Sequence, residues 1–299
     1  MKYYFAKKPY PAMGFTPDAE FPVVYGEKAG VNFQITGEIE RGNIIGIYSG
    51  TRSNIVPEVC EVYIEGNYKQ YKDSFHQYLA THHLKGSVEE EGNHTKLTLV
   101  GKSAHASTPE QGINATTAMC HYLITVSENK LVQFIDECFY QDHYGEKLGI
   151  AYTGLMGPLT VNLGVLNYKN GHVSMIVDMR VPHEVNDEQL TKPIQAHLDG
   201  YGLLESHELG KALYIDPQSD LVQSLHSAYV EFTGDHTHQP QAIGGGTYAK
   251  SMPNCVAFGA EFLGEDNLIH GNNENIKIDS LLKATEIYCH ALYNLIKAD

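Results

Sequence analysis

Four short segments carry residue types that could do chemistry. In Gly14-Phe15-Thr16-Pro17-Asp18-Ala19-Glu20-Phe21-Pro22, two carboxylates lie in a loop held by two prolines. Carboxylates are hard oxygen ligands for divalent cations, and they are equally the solvated acids of an ordinary turn. In Gly101-Lys102-Ser103-Ala104-His105-Ala106-Ser107, a histidine stands among small residues that would let a ligand approach closely. A plain loop histidine is the simpler reading. Gly244-Gly245-Gly246-Thr247 precedes a helix-like stretch and reads either as an anion-binding nest or as a flexible turn. It matches neither G-x-x-x-x-G-K-[ST] nor G-x-G-x-x-G after a strand. In Leu268–Asn275, His270 and Glu274 could supply part of a metal site, but two groups do not complete one. His82, His83, His236 and His238 have no partners at ligand spacing and read as surface residues.

The elements that would position these segments are mixed. Phe21–Tyr25, Val59–Ile64, Lys96–Val100, Val173–Val181 and Asn254–Ala260 have strand composition. Lys69–His82 places Tyr71, Phe75 and Leu79 on one helical face. Thr108-Pro109-Glu110 reads as the cap of a helix running through Ala115 to Val126, and Asn186–Leu198 as a second capped helix ending near Gly200. Ser219–Phe232, closed by Gly234, and Asp279–Lys297 are amphipathic helices. The first 26 residues, with Pro9, Pro11, Pro17 and Pro22, read as irregular apart from Phe21–Tyr25. From about 27 to 211 the order of elements suits a small sheet with helices on one face, an α+β sandwich.

The whole chain sets limits. Its 299 residues, 42% hydrophobic, can bury a sizeable core in one or two domains. A formal net charge of −15 disfavours nucleic acid and anionic membrane as partners. Five scattered cysteines without a C-x-x-C pair fit reduced thiols in the cytoplasm. No apolar run reaches the roughly 20 residues that span a bilayer.

Each segment alone is a weak signal, but their order is specific. The series GFTPDAEFPVVYGEKAG, SNIVPEV, GKSAHAS with PE and GINA after it, VDMRVP, GGGTYAK and IHGNNENI resembles the second half of PepV-like dipeptidases, from about residue 4 to the C-terminus. These are metallopeptidases of the aminoacylase/carboxypeptidase type. The resemblance implies an α/β catalytic domain, here incomplete, in residues 1–26 and 212–299, with an inserted α+β lid domain in residues 27–211. It implies hydrolysis of dipeptides by metal-activated water, with two divalent ions, zinc or manganese, in the complete enzyme. Asp18 matches a ligand of one metal and His270 a ligand of the other. His105 matches the lid histidine that polarises the scissile carbonyl, and Asn54 and Arg180 match lid positions that contact the substrate. Gly245 and Thr247 lie in the loop that borders it.

The chain departs from the family at Lys250, usually arginine, and at Gly271 and Asn273, usually glutamine and aspartate. The family's H-x-D segment, bridging aspartate and Glu-Glu pair lie upstream of the P-D-A-E motif, and nothing before Phe15 matches them. The expectation is weak or absent metal binding and no stand-alone activity, with a complementing N-terminal fragment as a partner. The competing reading is a non-catalytic remnant that survives as a binding or dimerising module. A homodimer stays open under both readings, and a cut-open sheet would leave apolar surface near residues 215–299.

Overall fold

Along Ala29–Glu38, Ala29, Val31, Phe33 and Ile35 are buried while Asn32, Gln34 and Thr36 are exposed. This two-residue period fits a strand with one covered face and one wet face. It belongs to an eight-stranded sheet with the order Leu203–Ser206, Ala29–Glu38, His172–Val181, Thr160–Lys169, Ile44–Ser49, Val59–Glu65, His94–Val100, Lys85–Glu91. The computed structural model describes residues 1–265, 268 and 272–297. These divide into two compact units, Gly30–Gly210 on the one hand and Met1–Ala29 with Lys211–Asp299 on the other.

In Gly30–Gly210, helices Tyr68–Thr81 and Ala115–Leu123 pack on the strands. Helices Lys130–Phe139 and Asp187–Tyr201 pack on each other. Tyr71, Phe75 and Leu79 are the buried stripe of the first. Asp187–Tyr201 buries Leu190, Ile194 and Leu198, each worth about 1.5–3 kcal/mol when removed from water. Asn186 and Gln189 form a reciprocal capping box at its start, and Gly202 closes it in the left-handed conformation.

The sheet is larger than the sequence suggests. Ile44–Ser49, Lys85–Glu91 and Thr160–Lys169 are strands without a strong sequence signal, because glycines and charged residues interrupt their apolar pattern, and Ala29–Glu38 is a further strand whose alternation over residues 31–36 is a signal that the expected strands leave out. The single helix expected from Thr108 to Val126 is also corrected. Pro109–Gln111 makes one tight turn, and Ile113 then pairs with Lys102. The helix proper starts at Ala115, because the Asn114 side chain accepts from the Thr116 and Thr117 N–H groups.

The other unit holds a five-stranded mixed sheet. Gly14–Thr16 runs parallel to Cys255–Phe258, which runs antiparallel to Val23–Glu27. Val23–Glu27 also pairs with Gln241–Ile243 and Leu213–Tyr214. The first 26 residues are therefore less irregular than expected, since tertiary pairing supplies what three-residue segments cannot supply locally. Helices Asp220–Thr233 and Ile278–Lys297 share one core with these strands, built on Phe21, Val23, Leu225, Tyr229, Phe258 and Ile287. Gly234 closes the first of them as the sequence predicts, and the Ser219 side chain caps its start.

One ionic clasp closes the larger unit. His207 Nδ1 lies 2.7 Å from Glu205 and Nε2 lies 2.8 Å from Asp187, with the ring stacked on Phe33 at 4.2 Å. Two carboxylates, which only accept, require both ring nitrogens to donate, so the ring is an imidazolium. Burial pulls its pKa down, but the two carboxylates overcome this and leave it above the ordinary 6.5. Stability from a raised histidine is complete below the unfolded value and is lost as pH rises through the folded one. The stability difference between the wild type and His207→Asn, measured by urea unfolding, is therefore expected to be greatest below pH 6.5 and to shrink at alkaline pH. A difference independent of pH would show that the clasp carries no charge.

Candidate active site

The sequence-derived residues fall into two groups, one in each unit. In Gly30–Gly210, the stretches around Asn54 and His105 run side by side. Ile55 and His105 form an antiparallel bridge, Ala106 N–H donates to the Asn54 carbonyl at 2.9 Å, and Val56 N–H donates to the Ala104 carbonyl at 2.9 Å. The Asn162 amide holds this pair of loops by donating to the Ser53 and Ile55 carbonyls at 3.0 and 3.1 Å. Gly164 lies at the bulge of the same strand, and a Cβ there would come 2.2 Å from the Ser53 carbonyl oxygen. Only glycine allows this approach.

Asn54 and His105 are exposed. Ser107 N–H lies 3.2 Å from His105 Nδ1, and the Ser107 hydroxyl lies 2.7 Å from it. A backbone N–H can only donate, so Nδ1 accepts and the neutral ring carries its proton on Nε2. His105 is thus set as a donor through Nε2.

Arg180 belongs to the same corner. It is the cross-strand partner of Thr160, whose hydroxyl donates to the Ala106 carbonyl at 3.2 Å. Its guanidinium is gripped bidentately by Asp178, Nε to Oδ1 at 2.7 Å and Nη2 to Oδ2 at 2.9 Å. Burial raises the Asp178 pKa above its ordinary value, against the opposing pull of Arg180 and His105. Asp178 was not singled out by sequence, although its two-residue spacing from Arg180 in V-D-M-R-V-P puts both on one strand face.

In the other unit, Asp18, Gly245 and Thr247 come together. They line a cleft of about 1030 Å³ that also takes in Glu20, Tyr248, Glu261 and Glu274. Asp18 and Glu20 are exposed, and none of the described lining residues is basic. His270 lies outside the described residues. Among the described residues, no three His, Cys, Asp or Glu side chains gather into a ligand set for a metal ion. The cleft's acids suit a cation chemically, but the described ones do not build a metal centre among themselves.

The glycine-rich loop has an internal anion. Glu27, with no exposed surface, accepts from the Thr247 N–H at 2.9 Å and from its hydroxyl at 2.5 Å. Lys250 Nζ lies 3.9 Å from the same carboxylate and donates to the Lys28 carbonyl at 2.8 Å. A Cβ on Gly246 would come 2.8 Å from that ammonium, so glycine lets Lys250 cross beneath the loop. The nest read from Gly244–Thr247 is therefore used at its Thr247 end by the protein's own carboxylate. The sequence signal for Glu27 is an acid two residues beyond the apolar run Phe21–Tyr25, beside Lys28. Glu27→Ala leaves the Thr247 N–H and hydroxyl without the acceptor they share inside the protein, a loss of about 1–3 kcal/mol. Urea unfolding is expected to show a loss of that size, and an unchanged midpoint would show that the carboxylate does not hold the loop.

Residues 31–294 match the profile of Peptidase family M20/M25/M40. Two proteins that carry the name "Putative dipeptidase", from Staphylococcus haemolyticus and Staphylococcus epidermidis, are each 33% identical to this chain over 98% and 99% of it. The chain spans 66% of the length of either relative. Among solved structures, aminoacylhistidine dipeptidase from Vibrio alginolyticus aligns with 94% of this chain and 64% of its own, at 13% identity and a TM-score of 0.48. Human carnosine dipeptidase 1 aligns with 95% of this chain and 60% of its own, at 11% identity and a TM-score of 0.43. With the family profile matched across residues 31–294, the chain belongs to peptidase family M20/M25/M40.

Proposed function

We propose that this chain serves the metal-dependent hydrolysis of dipeptides. The observation that carries the reading is the donor corner of Gly30–Gly210. His105 presents an Nε2–H donor, and Asn54 stands beside it. Arg180 is held in a fixed plane by Asp178. A dipeptide offers a scissile carbonyl oxygen and a terminal carboxylate, the two acceptors that such donors suit. In this reading Gly30–Gly210 is the lid, His105 polarises the carbonyl, and Asn54 and Arg180 orient the substrate. Gly245 and Thr247 border the cleft in which Asp18 serves as a carboxylate ligand.

The metal is zinc or manganese, two ions in the complete enzyme, with Asp18 on one and His270 on the other. One ligand for each ion is too few for tight binding, so each ion needs further ligands, and the reaction a general base, besides the residues named here. The five free thiols suit the cytoplasm. No helix among the described residues is long and apolar enough to cross a membrane.

The test pairs metal analysis with dipeptide hydrolysis, for the chain alone and with a fragment carrying the family's H-x-D and Glu-Glu segments. Hydrolysis that appears on addition of the fragment with zinc or manganese, and disappears with chelator, is the expected result. His105→Ala then lowers turnover by about 10²–10³ with metal content unchanged. His270→Ala depletes metal, and Arg180→Ala mainly raises KM. Absence of hydrolysis in every combination would favour the non-catalytic binding or dimerising module instead.

A further inference from the structure

Gly30–Gly210 holds a cavity of about 250 Å³ that none of Asn54, His105 and Arg180 lines. Its apolar wall is Val161 and Leu163 of the strand Thr160–Lys169, Ala118 of the helix Ala115–Leu123, and Phe139 at the end of Lys130–Phe139, all buried. Val56 closes the side nearest the loops that carry Asn54 and His105. His82, Ile113 and Gln141, all exposed, form the mouth with the half-buried Tyr140 and His143.

The polar groups of the interior are already used. Asn114 accepts from the Thr116 and Thr117 N–H groups and donates to Asn162 and to the Leu163 carbonyl. Asn162 donates to the Ser53 and Ile55 carbonyls, and the Thr117 hydroxyl donates to the Asn114 carbonyl at 3.2 Å. Asp142 accepts from the Tyr144, Gly145 and Lys147 N–H groups at 3.0, 2.9 and 2.7 Å. Among the described residues, neither lysine nor arginine lines the cavity. The interior therefore offers neither an ion pair nor an unmet hydrogen bond, and it suits an uncharged, apolar body.

The mouth is different. The His82 and His143 rings make no hydrogen bond with the described residues, and the Gln141 amide uses only its nitrogen, toward the Tyr140 hydroxyl at 3.3 Å. Gln141 also has φ of 55°, a left-handed conformation that is costly for a residue with a long side chain and recurs at ligand clamps. Size and faces narrow the class. An apolar cavity of about 150 Å³ holds benzene, so this one holds a substituted ring or a fused bicycle. Phe139, Tyr140 and His82 supply aromatic surface for it.

We propose that the cavity binds a small, free, uncharged aromatic molecule with one hydrogen-bond donor, of the indole or phenol class, its ring inside and its donor toward His82 and His143. Binding there bears on the back of the donor corner. The Val56 N–H is bonded to the Ala104 carbonyl, and Asn162 holds the carbonyls on both sides of Asn54, so an occupant shifts both loops. The site itself does not depend on the catalytic reading.

The test is a titration of the isotope-labelled full chain with indole to about 5 mM, read by amide resonances. Saturable shifts are expected at residues 113–118, 139–143 and 161–163, with a dissociation constant of about 0.1–1 mM. They should extend to the Asn54 and His105 amides. Ala118→Met, which fills the cavity, should weaken binding about tenfold or more. Ile113→Trp, at a position 44% exposed, should do the same by covering the mouth and serves if the first variant does not fold. His82→Ala with His143→Ala should weaken indole about fivefold and leave N-methylindole, which has no donor, unchanged. No saturable shift, affinity indifferent to both filling variants, or benzoate or benzylamine bound as tightly as indole each overturns the site. N-acetyltryptophanamide bound more tightly than indole would assign it to a polypeptide side chain instead. Equal effects of the double histidine substitution on indole and N-methylindole would overturn the donor assignment, and unmoved Asn54 and His105 amides the coupling to the loops.

Discussion

The smaller unit is organised around one buried negative charge. A carboxylate without solvent is tolerated only when donors and a counter-charge surround it, and Glu27 obtains both from one short stretch of chain. The Thr247 N–H and hydroxyl, together with the Lys250 ammonium, tie a loop that is more than two hundred residues away in sequence to the end of Val23–Glu27. That strand pairs with three others, so the charge fixes the glycine-rich rim of the cleft relative to the sheet. The turn bearing Asp18 follows Gly14–Thr16, a strand of the same sheet, and so shares this frame of reference. Lysine in place of the family's usual arginine keeps the counter-charge but gives up the planar fork, and here it uses its hydrogen bonds on backbone carbonyls.

The larger unit reaches similar precision with neutral amides. Asn114 caps the helix Ala115–Leu123 through its oxygen, and its nitrogen donates to Asn162 and to the Leu163 carbonyl. Asn162 in turn holds both loop carbonyls that flank Asn54. Asn129, 2% exposed, caps Lys130–Phe139 and bonds the Glu40 and Arg41 carbonyls and the Tyr168 hydroxyl. Buried amides with full sets of partners rigidify a structure, and a single lost partner costs the desolvation of the other. His105 is therefore carried on a loop whose backbone is bonded from both sides, which keeps an exposed side chain oriented without burying it.

Local signals made part of this legible. Ser219 and Gly234 bracket a helix because each satisfies terminal groups within its own turn. Asn186 and Gln189 do so for another. The same logic misplaced the start near Thr108, where a proline was a weaker determinant than the Asn114 side chain. Signals that depend on distant chain were not legible. Gly164 matters because of Ser53, Glu27 because of Thr247 and Lys250, and the short strand Gly14–Thr16 because of Cys255–Phe258. Composition alone carries none of those pairings. The order of motifs pointed to the correct family, since it encodes topology that no single segment contains.

The central claim is that the cleft bearing Asp18 is where the chain meets a divalent cation. Paramagnetic broadening of backbone amide resonances by Mn²⁺ tests it without any assay of turnover. The account predicts broadening centred on residues 16–20 and 245–248, diminished by Asp18→Asn and reversed by chelator. Broadening confined to Gly30–Gly210, or spread evenly over the acidic surface and unchanged by Asp18→Asn, would contradict it.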